Sequence, residues 1–262
     1  MRRWLAPLIA VPSLVAALAG APAYAQVPWQ PDRQAAVEYA KGRTGIIGFA
    51  VRTEHGFWAW NQKRQMPSAS VIKAMILVAY LSRGDVRDRS LHTSSNGYDA
   101  ALRPMITRSD DNATDKVFKR VGFDGLRRLA DRVGMQRFET TDHWGRSKID
   151  ASDQSRFFLH IDGFMPERHR AYGMKLLNSI VPEQRWGIWE VKPPGWTLYS
   201  KAGWGRGTGW VDHQVSLLTR GNMRVAVAIL THWDGSHAYG KENLRGIAKR
   251  LLRGLNEQSV VE

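Results

Sequence analysis

The segment PSASVIKAMILVAYL, residues 67–81, is the strongest constraint on the fold, because it predicts a helix that is apolar on almost every side. A helix of this kind has to be buried, so the rest of the chain must surround it. It contains one charged residue, Lys73, which follows Ser70 by three positions. Residues at this spacing share one helix face. The sequence therefore places a hydroxyl and an amine side by side in apolar surroundings.

The elements around this helix follow a recognisable order. PDRQAAVEYAKG predicts a helix, and TGIIGFAVRT and FWAWNQK predict two strands separated by Glu54-His55-Gly56. From about residue 83 to residue 194 the pattern is mostly helical. After Pro193-Pro194-Gly195, three predicted strands, WTLYSKAGW, WVDHQVSLLT and MRVAVAILTHW, precede the amphipathic helix GKENLRGIAKRLLRGL.

This order predicts a mixed α/β (α+β) fold. Strands from both ends of the chain would form one antiparallel sheet of about five strands, flanked by the terminal helices, with an all-helical lobe inserted. We expect one catalytic domain, residues 26–262, whose sheet lobe comprises 26–69 and 196–262 and whose helical lobe comprises 70–195. The functional site is expected in the crevice between the lobes.

The first 25 residues predict a signal peptide for export. MRRWL is a basic start, an apolar run follows, and Ala23-Tyr24-Ala25 fits cleavage before Gln26. A membrane anchor is the alternative, but the run is short and contains Pro7 and Pro12. We therefore expect a periplasmic or secreted protein that does not span the membrane once processed.

Composition narrows the possible partners. The formal net charge is +14, which would attract anionic envelope polymers, although a generally basic soluble surface explains it equally well. The export signal and the lack of a binding motif argue against nucleic acid. There is no cysteine, so disulfides and thiol catalysis are excluded. His232 and His237 near Asp234 do not have a metal-site spacing, so we expect no metal, no cofactor and a monomer.

Ser70 and Lys73 suggest nucleophilic catalysis. Ser70 lies near a helix N-terminus, and Lys73 could accept its proton if burial lowers the pKa of the amine. Ser-x-x-Lys alone is weak evidence, since this tetrapeptide by itself favours an ordinary Lys73 that extends to the surface or caps a neighbour. No Gly-x-Ser-x-Gly motif is present, which argues against a Ser-His-Asp hydrolase.

Two later segments strengthen the catalytic interpretation. ITRSDDNAT opens a predicted helix and offers Ser109 as a proton relay and Asp111 as a partner for a lysine or an amide, although helix capping would explain both. YSKAGWG offers Lys201 for a substrate carboxylate and Gly203 for close approach of a substrate backbone. An ordinary edge strand guarded by a lysine is the alternative for the second segment.

The three segments resemble the motifs of penicillin-recognising serine enzymes. SVIK at 70–73, SDD at 109–111 and KAG at 201–203 correspond in order to Ser-x-x-Lys, Ser-x-Asn and Lys-Thr-Gly. Their spacing and the surrounding pattern of strands and helices resemble the class A β-lactamase fold over essentially the whole mature chain. The resemblance implies an acyl-enzyme hydrolase of the β-lactamase and D,D-peptidase type.

The resemblance also implies a role for each catalytic residue. Ser70 would be the nucleophile and Lys73 its base or proton relay. Ser109 would pass a proton to the leaving nitrogen, and Lys201 would hold Ser109 and the substrate carboxylate. The backbone N–H groups of Ser70 and Trp204 would form the oxyanion hole.

Two positions in the motifs depart from the family pattern. Asp111 stands where asparagine is usual, unless Asn112 is brought in by a local shift, and Ala202 stands where threonine is usual. Asp111, Ala202, Gly203 and Trp204 are the predicted substrate-binding residues. Ser94-Ser95-Asn96 fits Ser-x-Asn better as a string, but it lacks the start of a helix and is the weaker candidate. Trp144, Trp204 and Trp210 are candidates to line the cleft.

The largest departure is a missing motif. Class A β-lactamases carry Glu-x-x-Leu-Asn, whose glutamate activates the deacylating water, and this chain has no such pentapeptide. Glu139, Asp142 or Asp150 could substitute, but each is more readily explained as a loop charge or a cap. We therefore expect slow deacylation on a β-lactam or D-Ala-type peptide substrate. An efficient β-lactamase with another base, and a non-catalytic envelope-binding protein, are the alternatives.

Overall fold

The computed structural model describes residues 29–94 and 96–256. The predicted signal peptide lies outside the described residues, and so does Ser95 of the alternative Ser-x-Asn string. Within the described ranges, no helix combines the length and the apolar character that a membrane span requires.

An antiparallel sheet of five strands forms the centre of the molecule, in the order β2-β1-β7-β6-β5. A short second sheet pairs β3 with β4. The strands are β1 Ile46–Arg52, β2 Phe57–Trp60, β3 Met66–Pro67, β4 Lys148–Ile149, β5 Thr197–Gly205, β6 Val211–Arg220 and β7 Met223–His232. The predicted α/β class and the sheet of about five antiparallel strands are confirmed.

Helices cover both faces of the sheet. They are α1 Arg33–Lys41, α2 Ile72–Leu81, α3 Tyr98–Thr107, α4 Asp111–Val133, α5 Ala151–Leu159, α6 Glu167–Asn178 and α7 His237–Leu251. Residues 111–122 and 124–134 each carry a helical spacing of apolar residues that ends at a glycine, and Gly122 at φ 62° interrupts the helical backbone of α4. Only glycine adopts that conformation at little cost, so the change of direction is fixed by this residue.

Strand alternation divides the core between the two faces. Val227 and Ile229 of β7 belong to the core that includes α1 and α7, whereas Ala228 and Leu230 belong to the larger core shared with the helical block. The terminal helices therefore lie together on one face, as the sequence predicts. The exact lobe boundaries at residues 69–70 and 195–196 stay a prediction.

The helix that carries Lys73 is fully buried. All ten residues of α2 are buried, and Lys73 has no exposed surface. The helix begins later than the predicted residue 67, because Met66 and Pro67 form β3 and a single 3-10 turn, Ala69–Val71, leads into α2. Ser70 lies in that turn, at the start of the buried helix.

Candidate active site

The turn that carries Ser70 is held in a strained conformation. Ala69 has φ 43°, in the left-handed region that residues with a Cβ rarely adopt. Ser68 fixes the turn from one side, since its N–H donates to Ser147 O (2.8 Å) and its Oγ donates to Trp144 O (3.2 Å). Strain of this kind persists only where the surroundings impose it, and it is common at active sites.

A buried histidine fixes the chain just before the turn. Burial lowers the pKa of His213 to about 4, so its ring is neutral. Thr231 N–H donates to His213 Nδ1 (3.1 Å), which leaves the proton on Nε2 to donate to Pro67 O (2.8 Å). The sheet therefore anchors Pro67, three residues before Ser70, through a single imidazole.

Lys73 reaches the start of α4 with its amine. Its Nζ donates to Asp111 Oδ1 (2.5 Å) and to Ser109 O (2.6 Å), and it lies 3.3 Å from Ser109 Oγ. The ring of Trp144 lies 5.0 Å from the same nitrogen, and Trp144 Nε1 donates to Asp115 Oδ1 (2.7 Å). Lys73 does not extend to the surface, so the interpretation as an ordinary exposed lysine is wrong.

Lys201 reaches the same serine from the opposite side. Its Nζ lies 2.9 Å from Ser109 Oγ and donates to Ala202 O (2.8 Å). Ser109 has φ 59°, so this residue too is held in the left-handed region. One hydroxyl therefore lies within hydrogen-bond reach of two buried amines.

The two amines differ in how easily they lose a proton. Burial lowers the pKa of Lys73, while the hydrogen bond and charge of Asp111 act in the opposite direction. Burial and the charge of Lys73 together lower the pKa of Lys201 much further, and Asp111 offsets this only in part. Of the two, Lys201 is the better candidate for a neutral amine at rest. In that state the Lys73 ammonium donates to Ser109 Oγ, and the Ser109 hydroxyl donates to the neutral amine of Lys201.

Strand β5 supplies the wall opposite Ser70. A Cβ added at Gly203 would lie 2.7 Å from Val71 N and 2.8 Å from Ser70 N, so only glycine allows this approach. Trp204 of β5 pairs with Asp212 of β6. The Asp212 N–H donates to Thr231 Oγ1 of β7, so it points away from β5. In an antiparallel pair of this kind the N–H of the opposite residue also points outward, so the Trp204 N–H faces the free edge of β5. That orientation is compatible with an oxyanion hole made by Ser70 and Trp204.

A cleft of about 250 Å³ opens beside Ser70, and its lining does not include Lys73, Ser109, Lys201, Ala202 or Gly203. Ser70, Asp111 and Trp204 line it, as does Trp144, whereas Trp210 does not belong to its lining and stacks under Arg206 (4.6 Å). Ser70 Oγ has no hydrogen-bond partner within the described residues. The sequence reasoning missed three polar residues in the lining. These are His143, Arg146 and Thr208.

The three carboxylates considered as deacylation bases lie elsewhere. Glu139 is exposed and accepts a hydrogen bond from Gln65 (2.9 Å), and Asp142 pairs with Arg146 (2.6 Å). Asp150 is buried and caps α5, and burial raises its pKa to about 6. None of the three lines the cleft of Ser70. In the part of the chain that the structure describes, no group of three ionisable side chains is arranged to hold a metal ion.

Replacing Asp111 with asparagine should shift the pH dependence of acylation toward lower pH. The carboxylate raises the pKa of Lys73, so its loss lowers that pKa and makes the neutral amine available at lower pH. The rate of labelling by a fluorescent penicillin, measured across pH, tests this. Asp124→Asn, an exposed carboxylate paired with Arg127, is the control. An unshifted profile for Asp111→Asn would contradict the assignment.

A second buried acid lies behind the cleft wall. Asp212 Oδ1 is 2.5 Å from His237 Nδ1, and the His237 ring stacks on Trp204 (5.6 Å between centroids). Burial, reinforced by the charge of Asp234, raises the pKa of Asp212 to about 8. Burial also lowers the pKa of His237. A protonated Asp212 that donates to a neutral His237 accounts for both directions.

This pair predicts that the protein loses stability as the pH rises from about 6.5 to 8. Below pH 6.5 the folded pair holds one proton on Asp212 and the unfolded pair holds one on His237, so the folded state keeps an extra proton only above the ordinary pKa of histidine. The free energy of unfolding then falls by at most about 1.4 kcal/mol per pH unit. Asp212→Asn should flatten this dependence in urea titrations, and Asp88→Asn, an exposed carboxylate, should not. An identical slope in Asp212→Asn and the parent would count against a raised pKa.

Comparisons with known proteins identify the family and the fold. A family model described as "Beta-lactamase enzyme family" matches residues 98–255, a range that includes Ser109 and Lys201 and begins after Ser70 and Lys73. No curated protein sequence matches the chain.

Solved structures share the fold at low sequence identity. A β-lactamase from Sphaerobacter thermophilus is 17% identical and has a TM-score of 0.74, over 87% of this chain and 98% of that chain. PBP-A is 17% identical and has a TM-score of 0.72, over 87% and 96%. A PBP-A mutant, solved as an acyl-enzyme complex with penicillin G, is 16% identical and has a TM-score of 0.71, over 87% and 96%.

The family match spans more than half of the chain, and the solved structures extend the likeness in fold to the segment that carries Ser70. The protein therefore belongs to the beta-lactamase enzyme family and is a serine hydrolase of that type.

Proposed function

We propose that the protein forms an acyl-enzyme at Ser70 with a β-lactam or a D-Ala-type peptide and releases it slowly. The observation that carries the proposal is the chain of three groups beside the nucleophile. Lys73 Nζ lies 3.3 Å from Ser109 Oγ, and Ser109 Oγ lies 2.9 Å from Lys201 Nζ. This chain can move a proton between two buried amines without exposing either to water.

The substrate itself would prepare the base. A substrate carboxylate placed near Lys201 raises the pKa of that amine, because an opposite charge favours the protonated form. A proton then passes from Lys73 through the Ser109 hydroxyl to Lys201. Lys73, three positions after Ser70, becomes a neutral amine, which is the form a general base requires.

Acylation then uses the neutral Lys73 amine as its base. Ser70 Oγ attacks the carbonyl carbon and gives its proton to Lys73, while the N–H groups of Ser70 and Trp204 bind the oxyanion. The C–N bond breaks, and the leaving nitrogen takes a proton from Lys73 through Ser109. Water must later attack the acyl carbon to release the product and restore the Ser70 hydroxyl.

The second half of this reaction has no dedicated base beside the Lys73 amine, which acylation already uses. Asp111 is the one carboxylate in the cleft lining of the described chain, and its Oδ1 is paired with Lys73 at 2.5 Å. His143 also lines the cleft, but its Nδ1 accepts the Gly145 N–H (3.0 Å). A neutral His143 ring therefore carries its proton on Nε2, where it can donate and cannot accept. These contacts support slow deacylation over the alternative of an efficient β-lactamase.

Labelling with a fluorescent penicillin tests the proposal. The expected result is one adduct at Ser70 by intact-protein mass spectrometry, absent in Ser70→Ala, that decays over minutes to hours. Release within seconds would support the efficient β-lactamase instead. No adduct after long exposure to several β-lactams and to a D-Ala-D-Ala thioester would contradict the acyl-enzyme and favour a non-catalytic binding protein.

Export and the envelope location remain part of the proposal. The family and the basic start of the chain support them. Mass spectrometry of the protein recovered from the expressing cell should give a mature chain that begins at Gln26. If the protein found outside the cells still began at Met1, cleavage before Gln26 would be contradicted.

A further inference from the structure

A second cavity, of about 590 Å³, lies where α4 packs against the C-terminal end of α2. Ser82, the residue that follows α2, lines it, and no residue of its lining belongs to the cleft beside Ser70. Twelve positions of mostly helical chain separate Ser70 from Ser82, which corresponds to about 18 Å. The cavity is therefore separate from the acyl-enzyme chemistry.

Three arginines and a single carboxylate form the charged part of this lining. They are Arg83, Arg128, Arg132 and Asp85. Arg128 and Arg132 are four positions apart on α4, so they share one face of that helix. The guanidinium of Arg83 donates to Arg120 O and therefore lies against the same helix. Positive charge is concentrated on this concave surface.

The single carboxylate is already shared by two other arginines. Asp85 accepts hydrogen bonds from Arg83 (2.8 Å) and from Arg120 (2.5 Å), which lies outside the lining. The hydrogen bonds from Arg83 and Arg120 lower the pKa of Asp85, so this carboxylate is ionised at neutral pH. One negative charge facing two guanidinium groups leaves nothing to neutralise Arg128 or Arg132.

Arg128 and Arg132 have no carboxylate partner among the described residues. Arg128 is exposed and makes neither a hydrogen bond nor an ion pair there. A Cβ added at Gly125 would lie 3.9 Å from Arg128 Nη2, so the guanidinium folds back along α4 onto the cavity. Arg132 donates only to the neutral acceptors Phe164 O (2.8 Å) and Ser82 Oγ (3.3 Å). Both cations therefore remain available to an anion.

The end of α2 removes only part of this surplus charge. A helix C-terminus carries roughly half a negative charge, and it favours a nearby cation. Arg132 contacts Ser82 directly after α2, so the helix dipole explains the presence of this one arginine. It does not explain Arg128, which makes no such contact.

A phosphate group fits the remaining charge better than a carboxylate does. Guanidinium groups bind both anions through paired N–H donors. A phosphate monoester carries about 1.5 to 2 negative charges at pH 7, which matches two arginines, whereas a carboxylate carries one. The apolar side chains of Ala79, Val121 and Leu129 complete the lining and suit an organic body attached to the phosphate.

We propose that this cavity binds the phosphate group of a small organic molecule, a phosphate monoester or a diphosphate, through Arg128 and Arg132. The organic part of the ligand lies against Val121 and Leu129. The site does not depend on the reaction at Ser70, so the ligand can bind to the free enzyme and to the acyl-enzyme alike.

Titration calorimetry of the full chain with inorganic pyrophosphate tests the proposal. We expect saturable one-to-one binding that Arg128→Gln weakens about tenfold, the value of a hydrogen bond to a charged group. Arg127→Gln removes the same charge one position away, outside the lining, and should leave the affinity nearly unchanged. Lack of saturable binding, or an equal loss in the two variants, would overturn the proposal.

Gly84 allows a second test that leaves every arginine in place. This residue lines the cavity, and no atom lies within 4 Å of a Cβ added there. Gly84→Glu supplies a competing carboxylate and should weaken pyrophosphate binding by more than Arg127→Gln does, whereas the uncharged Gly84→Gln should bind nearly as well as the parent. Both variants should label Ser70 at the parent rate. Equal affinities of Gly84→Glu and Gly84→Gln would contradict the site.

The phosphate group has two sources to distinguish, a soluble molecule and a lipid headgroup. Binding of phenyl phosphate without binding to vesicles of phosphatidic acid indicates a soluble ligand. Vesicle binding that Arg128→Gln abolishes indicates a headgroup, and either result supports the site. Failure of phenyl phosphate and the vesicles alike, or succinate binding as tight as that of pyrophosphate, would show the proposal to be wrong.

Discussion

Replacing Lys73 with methionine should slow the acylation of Ser70 by about 10²- to 10⁴-fold, the usual contribution of a general base. Methionine retains the length and the apolar stem of the side chain, so the surrounding core is kept. The amine is lost, and with it both the proton acceptor for Ser70 and the first member of the chain to Lys201. The rate of adduct formation with a fluorescent penicillin, followed by mass spectrometry, measures the effect.

Lys73→Arg separates the base from the charge. Arginine keeps a cation next to Asp111 but cannot give up its proton in a protein. We expect it to be as slow as the methionine variant, and Lys63→Met, an exposed lysine, should label at the parent rate. If Lys73→Arg labelled as fast as the parent, the amine would act as a charge and the proton chain would be wrong.

Replacing Gly203 with valine should cause a loss of similar size for a steric reason. Its Cβ would lie 2.7 Å from Val71 N and 2.8 Å from Ser70 N, and backbone atoms cannot move aside as a flexible side chain can. Strand β5 must move away from the turn that carries Ser70. A displacement approaching 1 Å costs about 10²-fold in rate, and overpacking costs about 1–3 kcal/mol of stability.

Two measurements are needed for Gly203→Val, since the variant changes both packing and geometry. The labelling rate should fall by more than the loss in thermal stability explains at the assay temperature. Gly84→Ala adds a methyl group where no atom lies within 4 Å and should change neither quantity. A Gly203→Val protein that labels at the parent rate would show that β5 does not form the wall of the site.

The fold was largely predictable because its signals are local. Alternating apolar residues identify β5, β6 and β7, and the glycines at 122 and 134 end helical segments as expected. The start of α2 was not predictable, since the pairing of Met66 with Ile149 depends on a contact across 83 positions. Residue patterns within one segment carry no information about such a partner.

The proximity of the candidate residues was predictable, but their protonation was not. The order of Ser70, Ser109 and Lys201 along the chain suggests that they meet, yet the choice of the amine that loses its proton depends on the position of Asp111. His143 was missed because only carboxylates were considered as replacements for the absent glutamate. From the sequence, His237 was considered only as a metal ligand. Its contact with Asp212 was not predictable, because it joins the last helix to β6 and neither segment alone indicates the partner.

The strained residues beside Ser70 and at Ser109 have a consequence for engineering. Ala69 and Ser109 hold positive φ values that cost about 1–3 kcal/mol each, and glycine would relieve most of this for about 0.5–1 kcal/mol of chain entropy. A library selected for heat resistance alone would therefore favour glycine at position 69. The selected variants would be more heat-resistant but would hold Ser70 in a less rigid turn. We therefore expect such a selection to lower activity unless turnover is screened in the same round.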